Sequence, residues 1–287
     1  MKLDNIKINK SRTLLHRDLL YRNKYFKLDY FNSKYSTKES IEYLTYIYTI
    51  VGCSAFNIEI NPTMVQLLNN VISEAMNSDK YLNSNSFCRP FITISLYNIT
   101  QKQKLFNAIE KSIYEGAEVI EFQPVNSDKE SIVSSINELG KAFTDNVISL
   151  KLNREFLSNT SMIEVIKKAS DLIKERLMIE IISFKNDVIS KNSNNELETL
   201  STVDIINKRL KQKDQLYQSI PILLPSNLNG NLCKLARQCQ VDFNGVNVYF
   251  DSLKDAYKYI KKYNLIDRNL IIKDLLYAQK HIKNSFV

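Results

Sequence analysis

The stretch "FITISLYNITQKQKLFNAIEKSIYEGAEVIEFQ", residues 91 to 123, decides the fold. A run of β-branched and aromatic residues passes a polar turn, then residues 102 to 115 space their apolar side chains three and four apart, and a second short apolar run closes the unit. A helix between two strands is the crossover that parallel pairing requires. The same unit recurs along the chain. Candidate strands are "YFKLDYF" (25–31), "AFNIEI" (55–60), "FITISLY" (91–97), "EVIEFQ" (118–123), "NVISLKL" (146–152), "LMIEIIS" (177–183), "IPILL" (220–224) and "FNGVNVYF" (243–250). Helical spacing occupies 38–51, 62–77, 102–115, 129–142, 159–175, 200–213, 229–239 and 252–263. Eight strand–helix repeats predict a closed (β/α)8, TIM-barrel-like domain rather than an open doubly wound sheet.

The expected organisation is an N-terminal arm (1–24), the α/β barrel (25–263) and a C-terminal helical extension (264–287) whose "IIKDLLYAQKHI" covers one end of the barrel. Pro62 in "NPT" and the polar "NSDKE" (126–130) mark helix starts. The polar insert "SFKNDVISKNSNNELET" (183–199) reads as a mobile loop after the sixth strand.

The chain has 287 residues, 44% hydrophobic and 24% charged. No apolar run approaches the roughly 20 residues that span a bilayer, which argues against membrane insertion. Five glycines and five prolines, amid abundant Asn, Ile, Lys and Tyr, are the bias of a gene rich in A and T. The formal charge of +8 therefore reflects lysine content as much as an acidic partner, and the basic residues are spread along the chain. That pattern disfavours a nucleic-acid partner, which calls for a basic face or run.

Cys53, Cys88, Cys233 and Cys239 form no CxxC pair, so no metal, iron–sulphur or other cofactor is expected from this chain alone. They read as free, buried thiols. His16 and His281 lie near the termini and are expected at the surface. GxGxxG, Walker, GxSxG and HExxH motifs are all absent, and Ser-His-Asp chemistry has no support.

Alternation along the strands separates two faces. Phe26, Leu28, Phe56, Ile58, Ile92, Ile94, Ile120, Phe122, Ile148 and Leu150 form an apolar face directed at the helices. The opposite, inward face carries Lys27, Asp29, Asn57, Glu59, Thr93, Ser95, Glu121, Gln123, Ser149, Lys151, Glu180, Asn247 and Tyr249. Ionised groups inside a barrel need partners, because an unpaired buried charge costs several kcal/mol. Lys27, Glu121, Lys151 and Glu180 are thus either catalytic or members of a structural ion network. Asp29, Glu59, Gln123 and Asn247 are candidate ligand-binding residues near the strand C-terminal ends.

The stretch from 218 to 250 supplies the seventh and eighth units. Its loop "PSNLNGN" places Asn227, Asn229 and Gly230 where phosphate-binding barrels carry glycine-rich turns. One glycine remains there, and an ordinary capped helix start is the favoured reading.

The stretch "NKYFKLDYFNSKYSTKESIEYLTYIYTIVGCSAFNIEINPTMVQLLNNVISEA" (23–75) resembles the beginning of the cyanobacterial light-dependent period protein (LdpA) family. "FKL" at 26–28 and "VGCSAFNIEINPTMV" at 51–65 match its "FKL" strand and "GADCIDVAADPAV"-like segment, with Gly52 and Pro62 in place. Asn57 and Asn61 stand where the family tends to have aspartates. "RPFITISLYN" resembles its "PWLMVSLND", "EGAEVIEFQ" its "GIDAIEIH", and "LLPSNLNGNLCKL" sits at its "LAGGTN"-like turn. The family's cysteine-rich iron–sulphur segment has no counterpart between Asn98 and Gly116. The resemblance implies an LdpA-like regulatory or assembly protein without its own cluster, acting through an unidentified partner or small ligand. The family's redox-linked input to the circadian clock is not carried over intact. Lys27 and Glu121 are the residues the resemblance carries. A cyanobacterial relative, an A- and T-rich gene and no import signal point to the plastid stroma. The alternative is a TIM-barrel enzyme, a lyase or aldolase-like catalyst using a Lys/Glu pair on a small anionic substrate.

Overall fold

A computed structural model describes residues 15–16, 18–20, 25–31, 33, 37–78, 88–97, 99, 101–125, 128–152, 161–182, 193–211, 220–226, 231–249 and 268–286. Eight parallel strands close into a barrel in sequence order: β1 (Tyr25–Asp29), β2 (Ala55–Glu59), β3 (Phe91–Leu96), β4 (Val119–Phe122), β5 (Val147–Leu152), β6 (Leu177–Ile181), β7 (Ile222–Ser226) and β8 (Gly245–Tyr249). Between and after them lie α1 (Lys38–Ile50), α2 (Pro62–Met76), α3 (Lys102–Tyr114), α4 (Lys129–Ala142), α5 (Ser161–Ile173), α6 (Ser193–Lys211), α7 (Asn231–Gln238) and α8 (Arg268–Phe286).

Local chemistry sets the boundaries. Thr37 and Ser40 exchange capping bonds at the start of α1, Asn61 caps α2 ahead of Pro62, and Asp128 accepts from the Ser131 amide at the start of α4. After α3 the amide of Ala117 bonds back to Ser112 O at 2.9 Å and that of Gly116 to Ile113 O at 2.9 Å. This Schellman turn puts Gly116 at φ 111°, where a side chain is strained.

Outward strand residues such as Phe26, Phe56, Ile92, Ile120 and Ile148 join the helices' buried faces in one large core. Burying apolar area there is the main stabilising term, at roughly 25 cal/mol per Å². A second, smaller core fills the barrel's N-terminal half with Tyr25, Ala55, Phe91, Val119, Val147, Met178 and Leu223. Leu20, from helical residues 18–20 of the arm, packs beneath it and closes that end. Gly245 makes room for this layer, since a Cβ there would lie 2.4 Å from the Tyr25 carbonyl oxygen.

Three expectations are corrected. Part of the supposed loop, from Ser193 onward, is the first turn and more of α6, while 183–192 lie outside the described residues. Buried Leu200, Val203 and Ile206 anchor this helix to the core, and its start runs ahead of that apolar signal. The C-terminal helix does not cap an end of the barrel: α8 packs beside α7 and α1, in the outer ring. Neither histidine is at the surface, His16 being 1% and His281 2% exposed. His16 Nε2 meets Tyr25 Oη at 2.9 Å under the barrel, and His281 Nδ1 meets Tyr48 Oη at 2.7 Å between α8 and α1. Each imidazole packs edge-on to a phenylalanine, Phe91 and Phe26 respectively, so burial costs less than position along the chain implies. The candidate helix at 252–263 lies outside the described residues.

Candidate functional site

Following the pairing register round the ring sorts the inward side chains into stacked layers drawn from alternate strands. Ala55, Val119, Met178 and Gly245 share an apolar layer. Lys27, Thr93, Ser149 and Leu223 follow, then Asn57, Glu121, Glu180 and Asn247, then Asp29, Ser95 and Lys151. Polarity thus begins halfway up and grows toward the strand C-terminal ends, where barrel enzymes place their chemistry.

The charged residues meet at the axis. Lys27 Nζ, from below, bonds one carboxylate oxygen each of Glu121 and Glu180. Lys151 Nζ, from above, lies 2.6 Å from Asp29 Oδ2, 2.9 Å from Glu121 Oε1 and 3.2 Å from Glu180 Oε1. Asn57 Nδ2 donates to Asp29 Oδ1 and Glu121 Oε1, both at 2.9 Å. Asn247 Nδ2 donates to Asp29 Oδ2 at 3.1 Å and Glu180 Oε1 at 2.7 Å. The Ser95 hydroxyl lies 2.6 Å from Glu121 Oε1, and the Phe31 amide donates to Asp29 Oδ1 at 2.9 Å.

The three carboxyls are unequally served. Asp29 receives bonds from Lys151, Asn247, Asn57 and the Phe31 amide. Glu121 receives them from Lys27, Lys151, Asn57 and Ser95. Glu180 receives hydrogen bonds from Lys27 and Asn247 alone among the described residues, with Lys151 at ion-pair distance. A carboxylate with fewer donors is the poorer anion. Two ammoniums against three carboxylates also leave a formal charge of −1, so the network has a place for one proton.

The electrostatics follow the donor count. Burial raises the Glu180 carboxyl, nearby Glu121 adds to the rise, and the two lysines only partly offset them, leaving it at about 7. Burial works in the same direction on Glu121, but Lys151 and Lys27 outweigh it and hold that carboxyl well below the usual range. Burial alone would lower both lysines; Glu121 and Glu180 raise Lys27 instead, and Asp29, Glu121 and Glu180 raise Lys151. Both amines therefore stay charged at neutral pH. The surroundings thus push Glu121 and Glu180 in opposite directions, the first toward the ionised form and the second toward the protonated one, as acid–base sites do.

Carboxylate oxygens of Asp29, Glu121 and Glu180 lie within 4.8 Å of one another, a spacing open to a metal ion. Lys27 and Lys151 bond those same carboxylates, so the donor set does not fit a metal here. Cys53 and Cys233 are buried, Cys88 is half-buried and Cys239 exposed. Burial pushes the Cys53 thiol up to about 12, which leaves it inert.

Of the sequence candidates, Lys27, Asp29, Glu121, Lys151, Glu180 and Asn247 come together in this network. Glu59 does not join it: two residues beyond Asn57, at the last residue of β2, it is exposed at the rim instead of inside the barrel. Gln123 follows the end of β4 and is half-buried. Asn227, Asn229 and Gly230 lie outside the described residues. Asn57 and Ser95, read only as inward-facing, prove to be donors within the network. Phe31 and Tyr97 were missed. Their rings lie 5.0 Å apart at the mouth, and Lys151 Nζ stands 5.8 Å from the Phe31 centroid and 5.3 Å from that of Tyr249. Strand parity was the available signal, since 31 continues 25, 27 and 29, and 97 continues 91, 93 and 95.

The chain is similar in structure to the tryptophan synthase alpha chain of Legionella pneumophila subsp. pneumophila (TM-score 0.56, 10% identity, 97% of each chain covered). It is similar to triosephosphate isomerase of Bartonella henselae (0.53, 9%, covering 84% of this chain and 100% of that one). The YdjI aldolase of Escherichia coli K12 is a third such structure (0.54, 8%, 96% and 93%). At these identities the likeness establishes the TIM-barrel fold and nothing finer. No protein-family model matches the chain, and no curated protein does.

Proposed function

We propose that the chain is a TIM-barrel enzyme of the lyase or aldolase-like class that works by proton transfer on a small substrate at the barrel mouth. The observation that carries this reading is Glu180: an under-bonded carboxyl beside ionised Glu121, in the C-terminal half of the barrel, poised at about 7. Such a group takes or gives a proton at neutral pH with little driving-force penalty. Lys151, its ammonium engaged by Asp29, Glu121 and Glu180, holds the carboxyl pair from above. Its charged state argues against a Schiff base and for an electrostatic role. Lys27 anchors the carboxyl pair from below.

The test is deuterium exchange. A panel of small aldehydes, ketones and keto acids is incubated with the protein in D2O, and loss of the proton signal α to the carbonyl is followed by NMR. Wild-type protein is expected to accelerate exchange of at least one compound, and Glu180→Gln to abolish the acceleration. Equal rates for wild type, variant and protein-free buffer across the panel would refute the reading.

A second reading keeps the LdpA-like regulatory or assembly role, in the plastid stroma and without an iron–sulphur cluster. What favours it is that all five interior charges are paired within the chain, as in a structural network. Affinity isolation from the native organelle, with one partner recovered stoichiometrically and lost on substitution of a single surface patch, is the result it requires.

A further inference from the structure

We infer that the barrel mouth is built to receive an ammonium group, so that the substrate class is a small primary amine with an apolar portion. This inference rests on the proposed enzymatic reading and specifies its ligand, replacing the small anion that the sequence pointed to.

Charge comes first. The interior network holds Lys27 and Lys151 against Asp29, Glu121 and Glu180, an excess of one carboxylate. Lys151, the upper cation, is already directed at three carboxylates, so an incoming anion meets no spare donor there and an unfavourable field. Exposed Glu59 at the rim adds a further negative charge. Once Glu180 has given up its proton, an added positive charge is what this arrangement lacks.

The second observation is an unmet acceptor. Asn247 is fully buried, and its Nδ2 is spent on Asp29 and Glu180 while its Oδ1 has no hydrogen-bond partner among the described residues. The amide lies among the side chains of the network, in the layer below Asp29 and Lys151. A buried carbonyl oxygen left without a donor costs on the order of a hydrogen bond, and an N–H donor of a ligand would satisfy it.

The third is the wall above. Phe31 and Tyr97 form an adjacent ring pair, and the Tyr249 ring centroid lies 5.3 Å from Lys151 Nζ. Part-burial raises the Tyr97 hydroxyl; Lys151 opposes the rise, and Asp29 and Glu59 reinforce it, which sets the ring in the field of both carboxylates. Aromatic faces beside carboxylates attract a cation and cover an apolar tail. The groups facing Glu180 are Lys27 and Asp29 from β1, Glu121 from β4, Lys151 from β5 and Asn247 from β8. Ionising Glu180 strengthens the field an ammonium would feel, so amine binding tightens as pH rises through neutrality.

The experiment uses the full chain and three probes of one shape: n-butylammonium, n-butanol and butyrate. The amine stays protonated below about pH 10, so its own charge does not change between pH 5.5 and 8.5. Binding is read by saturation-transfer NMR titration. The expected result is binding of n-butylammonium in preference to the other two, with affinity rising on the order of tenfold from pH 5.5 to 8.5, as one added charge a few ångströms away allows. Glu180→Gln should flatten that dependence, and Glu59→Gln, at an exposed position that leaves folding intact, should weaken binding several-fold. Butyrate binding as well as the amine, no binding by any probe, or a flat pH dependence in wild type would overturn the inference. Deuterium exchange that depends on Glu180 would still stand in any of those cases, so failure here is distinguishable from failure of the enzymatic reading.

Discussion

Replacing Glu180 by Gln isolates the proton that the network carries. The folded carboxyl sits at about 7 against an ordinary 4.5, so the folded chain holds a proton that the unfolded chain has released. For a group raised in this way, the stabilising contribution is fully present below about pH 4.5 and is lost as pH rises through 7. The full span of 2.5 pH units corresponds to about 3–4 kcal/mol, of which about 2–3 falls between pH 5 and 8. Glutamine has the shape of the protonated acid and never ionises, so the variant escapes this loss. It also loses a charge-assisted contact, to Lys27 or to Asn247, a cost of about 1.5–3 kcal/mol that is constant over the same range. The informative quantity is therefore the slope.

Urea unfolding at pH 5, 6, 7 and 8 measures it. Relative to Glu180→Gln, wild type should lose about 2–3 kcal/mol across the series, a midpoint shift of about 1.2 M for a slope near 2 kcal/mol/M. Glu121 does not blur the result, because its carboxyl is held below the usual range and stays ionised throughout. Parallel stability profiles for the two proteins would mean that Glu180 is ionised in the folded state at pH 5. The smaller number of donors to Glu180 would then have no effect on its protonation.

Lys27→Met strips the lower ammonium from two buried carboxyls and should cost about 3–5 kcal/mol in urea unfolding; adding Glu180→Gln to it should recover part of that loss. Gly245→Ala forces a Cβ to within 2.4 Å of the Tyr25 carbonyl oxygen and should cost about 1–3 kcal/mol, read as a lower thermal midpoint. His281→Ala removes the 2.7 Å bond to Tyr48 and the edge contact to Phe26, so amide exchange in α8 should accelerate while β3 and β4 keep their protection. Lys27 and Lys151 are both raised above the ordinary lysine range, so their contribution is present below it and lost above; stability should fall steeply beyond about pH 10.5.

The fold was legible because a (β/α)8 barrel repeats one local pattern eight times, and each repeat carries its own periodicity and turn chemistry. Strand parity went further: it turned Lys27, Asp29, Glu121, Lys151 and Glu180 inward from alternation alone, and the helices accept the complementary apolar face. Partnership is a different kind of information. Lys27 bonds Glu121 and Glu180 across 94 and 153 positions, and which oxygen receives which donor depends on barrel closure, which no local window contains. The same limit explains His16 and His281. Nothing near either residue in sequence marks it as buried, because the surfaces that bury them, Phe91 on β3 and Phe26 with Tyr48 from the other end of the chain, are distant. The distinction between structural and catalytic charge falls on this non-local side too. A purely structural network gains by serving its three carboxyls equally, since every unserved oxygen weakens it. Here Asp29 and Glu121 are saturated while Glu180 is left short, although Thr93 and Ser149 stand in the layer just below with hydroxyls that bond no partner among the described residues. Hydroxyls one layer away leave Glu180 unserved, the asymmetry that the proposed proton-transfer role calls for.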